Sequence, residues 1–95
     1  MALTAVAYGN DTFVAVGEKG TIVTSRDGVQ WTVRSSGLTD VLGDVAFGNG
    51  TFVAVGGSVI TSADGVDWSI QNSGVPLPIP IFCVTYGEGK YVALT

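Results

Sequence analysis

Val6-Ala7-Tyr8-Gly9-Asn10-Asp11-Thr12-Phe13-Val14-Ala15-Val16-Gly17 returns almost unchanged as Val45-Ala46-Phe47-Gly48-Asn49-Gly50-Thr51-Phe52-Val53-Ala54-Val55-Gly56. It begins a third time as Val84-Thr85-Tyr86-Gly87-Glu88-Gly89-Lys90-Tyr91-Val92-Ala93-Leu94. The displacement is 39 residues each time. Repetition at such a period marks stacked or radial repeats, in which one supersecondary unit buries its apolar face only against its neighbour. The chain divides accordingly into residues 1–43, residues 44–81 and a half unit, 82–95. Met1 falls partway into a repeat, the pattern expected of a fragment or an engineered boundary.

Each full unit reads as four short strands. Strand A covers about Thr4–Tyr8 and Asp44–Phe47, and strand B Phe13–Val16 and Phe52–Val55. Strand C covers Thr21–Thr24 and Val59–Thr61, and strand D Trp31–Val33 and Trp68–Ile70. Between A and B lie Gly9-Asn10-Asp11-Thr12 and Gly48-Asn49-Gly50-Thr51, and Asn-Gly between apolar runs is a strong hairpin signal. No segment has helical period. The link between the second unit and the half unit holds all three prolines, in Val75-Pro76-Leu77-Pro78-Ile79-Pro80. It reads as an extended strap.

Strand B constrains the packing. In Phe13-Val14-Ala15-Val16 both alternating faces are apolar, so the sheet must be covered on both sides. A radial ring meets that demand, because each sheet covers the next until the circle closes, and such rings hold about four to eight sheets. Two and a half units do not close one. The chain is therefore expected to associate with itself, as a dimer or trimer. The half unit is the expected handle, with Phe82, Tyr91, Val92 and Leu94 forming an open edge.

Composition narrows the partners. Charged residues make up 13%, against about 25% in an ordinary domain, while apolar residues reach 46%. The net charge is −4, and the cations are Lys19, Lys90, Arg26 and Arg34. That is no basic patch for phosphates, so neither nucleic acid nor an anionic membrane is an expected partner. No apolar run approaches a membrane span, and the first residues lack the shape of a signal peptide. Cys83 has no partner for an intrachain disulfide.

A second motif sits between strands C and D. Thr24-Ser25-Arg26-Asp27-Gly28-Val29-Gln30-Trp31 matches Thr61-Ser62-Ala63-Asp64-Gly65-Val66-Asp67-Trp68. Asp27 and Asp64 are expected to accept backbone N–H groups across the turn, with Ser25 and Ser62 as second caps. Gly28 and Gly65 supply positive φ, and Trp31 and Trp68 are expected to fold over the turn and into the interface between units. The motif resembles the Asp-box of sialidase-type β-propellers, with one residue fewer between Asp and Gly. The whole units are similar to bacterial propeller repeats, including those of photosystem II assembly-factor propellers. The resemblance implies four-stranded antiparallel propeller blades, about 2.5 per chain, with the ring completed by oligomerisation. It implies a folding role for the box, away from any catalytic face.

Chemistry is hard to place on these residues. A sialidase needs an arginine cluster, an activated tyrosine and an acid, and the sequence shows no such cluster. Tyr8, Tyr86 and Tyr91 share repeat positions with Phe47, Phe13 and Phe52, which marks them as packing residues. The carboxylates Asp11, Glu18, Asp27, Asp40, Asp44, Asp64, Asp67 and Glu88 fall almost all in turns. With no histidine and no calcium-loop pattern, neither a metal nor another cofactor is expected. In a closed ring Asp44 from several chains would line the channel and attract a cation, although its repeat equivalents are Ala5 and Cys83. The leading expectation is a non-enzymatic scaffold that self-assembles into a propeller. The alternative is a lectin-like propeller with shallow glycan sites at its blades or blade junctions.

Overall fold

The computed structural model describes residues 3–71 and 83–94, Leu94 by its backbone alone. The proline-rich strap and Phe82 lie outside the described residues. The protein is all-β, in three antiparallel sheets with strands in sequential order. The first holds β1 (Leu3–Gly9), β2 (Thr12–Gly17), β3 (Ile22–Ser25) and β4 (Thr32–Arg34). The second holds β5 (Leu42–Gly48), β6 (Thr51–Gly56), β7 (Val59–Ser62) and β8 (Ser69–Ile70). The third pairs β9 (Cys83–Gly87) with β10 (Lys90–Leu94).

Each inner hairpin closes on two residues. Asn10 and Asp11, Asn49 and Gly50, and Glu88 and Gly89 all have positive φ, as a type I′ turn requires at both central positions. The turn sets the register, and the register sets the faces. Tyr8 pairs with Phe13, Phe47 with Phe52 and Tyr86 with Tyr91, and their rings meet at 4.6, 4.6 and 4.9 Å. The repeats even share a bulge, between Leu3 and Ala5 in β1 and between Leu42 and Asp44 in β5. The fourth strand of each four-stranded sheet starts one residue later than the sequence suggests. Trp31 and Trp68 precede β4 and β8, because the chain is still closing the Asp-Gly turn at the tryptophan.

Each sheet has a leading and a trailing face. The leading face of the second sheet carries Leu42, Val45, Phe52, Ala54 and Ile60, all buried, with Phe47 and Trp68 beside them. These pack on the trailing face of the first sheet, made by Ala5, Ala7, Val14, Val16 and Ile22. The same step recurs one unit on, where Val84 and Tyr91 pack on Ala46, Val53, Val55 and Val59. Two-sided apolar strands thus end in two successive face-to-face interfaces.

Candidate functional site

The Asp-Gly turns behave as their residue types require. Asp27 Oδ1 accepts the N–H groups of Val29 and Gln30 at 2.8 and 2.9 Å, and Ser25 Oγ donates to it at 3.0 Å. Asp64 Oδ1 accepts from Val66, Asp67 and Ser62 Oγ at 2.8, 3.0 and 3.0 Å. Ser25 Oγ and Ser62 Oγ in turn accept the Gly28 and Gly65 N–H groups at 2.7 and 2.8 Å. These donors favour the ionised carboxylate. The backbone N–H groups of Gln30 and Asp67, ahead of those of Val29 and Val66, hold the two pKa values below the ordinary aspartate value. Gly28 and Gly65 sit at φ of 78° and 80°. In both carboxylates Oδ1 is the oxygen that caps the turn.

The tryptophans part company. Trp68 donates its indole N–H to the Gly65 carbonyl at 2.8 Å and packs into the interface with the first sheet. Trp31, expected to do the same, is 42% exposed, because its leading face has no sheet before it among the described residues.

Three contacts between sheets were not foreseeable from strand patterns. Thr4 Oγ1 donates to the Leu42 carbonyl at 2.6 Å, joining β1 to β5. Asp44 Oδ2 accepts the Val84 N–H at 3.0 Å, joining β5 to β9, while its Oδ1 accepts the N–H of Val45 at 2.9 Å. In this structure Asp44 therefore acts as a clamp between the first strands of neighbouring sheets. The Tyr91 hydroxyl donates toward the carbonyls of Gly48 and Thr51, gripping the β5–β6 turn. Burial, ahead of the Gly48 hydrogen bond that opposes it, pushes its pKa above the usual phenol value.

A second type of contact between sheets is an aromatic ring lying on a glycine. A Cβ added at Gly9 would overlap the Phe47 ring, and one added at Gly48 would overlap the Tyr86 ring. Glycine is required at both places by the close approach of the next unit. At Gly87, the third member of the series, an added Cβ meets nothing within 4 Å. Tyr8, the first ring of the other series, is 55% exposed.

Among the described residues the two ends of the stack carry exposed apolar side chains. The leading face of the first sheet exposes Leu3, Val6, Tyr8, Trp31 and Val33 at 50, 59, 55, 42 and 67%. A shallow hollow of about 390 Å³ lies there among Leu3, Val6, Ala15 and Trp31, with Thr4 and Ala5 of β1 also lining it. The trailing face of the third sheet exposes Thr85 and Val92, the latter at 50%. Of the residues expected to form the open edge, Tyr91, Val92 and Leu94 lie on β10, which pairs only with β9 among the described residues, and the Tyr91 side chain faces the second sheet.

A polar cleft of about 390 Å³ opens at the turn ends of the first two sheets, lined by Asn10, Asp11, Thr12, Arg26, Arg34 and Asp64. Asn10 Nδ2 donates across it to the Ala63 carbonyl at 3.1 Å. Arg34 is steadied by Nε donating to Thr24 Oγ1 at 3.0 Å. Two of the chain's four cations thus share one wall. Their separation in sequence hides this, although Arg26 on the turn and Arg34 at the end of strand D were the available clue. Among the described residues no three His, Cys, Asp or Glu side chains gather as metal ligands. Comparison with protein-family models, with curated proteins and with solved structures returns no match.

Proposed function

We propose that this chain is a non-enzymatic repeat scaffold whose sheets are successive blades of a β-propeller, completed by association of two or three copies. One observation carries the reading. The leading face buried in the second sheet is exposed along the first strand of the first sheet, while farther across the face Ala15 and Val23 are buried at 4 and 6% much as Ala54 and Ile60 are. Leu42 is fully buried and Leu3 half exposed, and Val45 is 5% exposed against 59% for Val6. A monomer would leave several large apolar side chains in water, each worth about 1.5–3 kcal/mol when buried. Light scattering or native mass spectrometry across the micromolar range tests this. Assemblies of whole-number multiples of the chain mass are expected. A single 9.7 kDa species that unfolds cooperatively would overturn the reading.

The cleft between the first two sheets favours a second reading, a glycan-binding propeller. Paired arginines beside Asn10, Asp11 and Asp64 offer donors and acceptors suited to sugar hydroxyls or an acidic sugar. A glycan array on the assembled protein tests it, and binding that survives Arg34→Ala would rule out this cleft.

A further inference from the structure

The repeat interface has two halves, and the chain carries one unmatched copy of each. The leading half consists of Leu42, Val45 and Phe47 in the second sheet, and Val84 and Tyr86 in the third. Its unmatched copy is Leu3, Val6 and Tyr8. The trailing half consists of Ala7, Gly9 and Val14 in the first sheet, and Ala46, Gly48 and Val53 in the second. Its unmatched copy is Thr85, Gly87 and Val92. Val14 and Val53 are 0 and 8% exposed where an interface forms, and Val92 is 50% exposed where none does.

We infer that a second copy of this chain docks its first sheet on the third sheet, head to tail, with its Tyr8 ring seated on Gly87. This inference rests on the self-assembly reading and specifies its contact. The ring-on-glycine step occurs twice inside the chain, at Phe47 on Gly9 and at Tyr86 on Gly48, and Tyr8 on Gly87 is the same step a third time. A two-fold axis passing through the contact itself does not provide it. Leading face on leading face sets ring against ring, and trailing on trailing sets glycine against glycine. The contact is therefore heterologous, so successive copies close into a ring or extend, according to the rotation between them.

Gly87 gives an unusually clean test. It has no neighbour within 4 Å of an added Cβ and lies outside the positive-φ positions, so Gly87→Val adds a strand-favouring side chain whose Cβ meets nothing in the single chain. Overpacking the docked face is expected to raise the dissociation constant by about tenfold or more. The second measurement uses disulfide trapping on a Cys83→Ala background, alanine being the residue at the equivalent position 5. Tyr8→Cys chains mixed with Gly87→Cys chains are expected to cross-link to each other. Wild-type chains that stay single throughout the micromolar range would remove both the self-assembly reading and this docking. Wild-type chains that associate while Gly87→Val keeps their affinity would remove the docking alone, as would disulfides forming only between like variants.

Discussion

Phe52 and Phe13 occupy the same place in two nearly identical units, yet only one of them is sealed from water. Phe52 is fully buried, its ring 4.6 Å from Phe47 and 6.4 Å from Trp68. Phe13 keeps equivalent neighbours, Tyr8 at 4.6 Å and Trp31 at 6.4 Å, but that cluster remains partly exposed. Sequence and local geometry are shared, so the difference comes from what lies in front. Burial in a repeat protein belongs to the interface between units more than to the unit.

The sharpest way to break this comparison is to truncate both rings. Phe52→Ala is expected to cost about 3–5 kcal/mol, as large aromatic deletions in sealed cores do. Phe13→Ala in the unassociated chain should cost about half of that or less, part of its ring being already hydrated. Equal losses by denaturant titration would mean that the two environments are energetically alike.

Next in size is the glycine series. Gly48→Ala drives a methyl group into Tyr86 and is expected to cost about 1–3 kcal/mol. Gly87→Ala, facing open space, should leave the melting temperature of the single chain unchanged. A shift of the same size at both positions would count against the ring-on-glycine account.

The clamp at Asp44 sharpens the contrast between the two interfaces. Asp44→Ala leaves the partly buried Val84 N–H without its acceptor, at about 1–3 kcal/mol. The loss should fall on the third sheet, visible as faster amide exchange at residue 84 with little change at Val14 or Val16. Uniform acceleration across the three sheets would show that the clamp is not local.

The smallest effects belong to the capped turns. Asp64→Ala should lower the melting temperature by a few degrees, through loss of a cap worth about 1 kcal/mol by analogy with helix caps. Asp67→Ala should do less, because its repeat equivalent is Gln30. The same carboxylates give a pH dependence of definite sign. Their folded pKa values lie below the unfolded one, so the stabilisation is present above about pH 4 and is lost as pH falls through the folded values. An acid titration in which Asp27→Asn/Asp64→Asn loses stability as steeply as wild type would contradict this.

Much of the architecture was legible in the sequence because it is local. The hairpin turns follow from Asn-Asp, Asn-Gly and Glu-Gly between apolar runs, and the caps follow from Ser-x-Asp-Gly. Both depend on residues within a few positions of one another. The contacts of Thr4, Asp44 and Tyr91 were not legible, because each reaches an atom about 40 residues away on another sheet. Asp44 shows the difficulty well: its acceptor role depends on where Val84 lies, while its repeat equivalents Ala5 and Cys83 have no such role. Arg26 and Arg34 were likewise visible as separate residues and not as one wall of a cleft. Trp31 followed the turn pattern correctly and missed only because its partner face is absent from the described residues.

Near-identity between β2 and β6 carries a hazard that the two-residue turns relieve. Thr12–Gly17 and Thr51–Gly56 spell the same six residues, so β1 has two acceptable partners of equal chemical merit. Only timing separates them. A hairpin with a two-residue connection forms within about 1–10 μs, whereas pairing β1 with the distant copy must first close a loop about 40 residues longer, at greater entropic cost. Lengthening the Asn10-Asp11 turn would erode that head start, and exchanged strands between units or between molecules would follow.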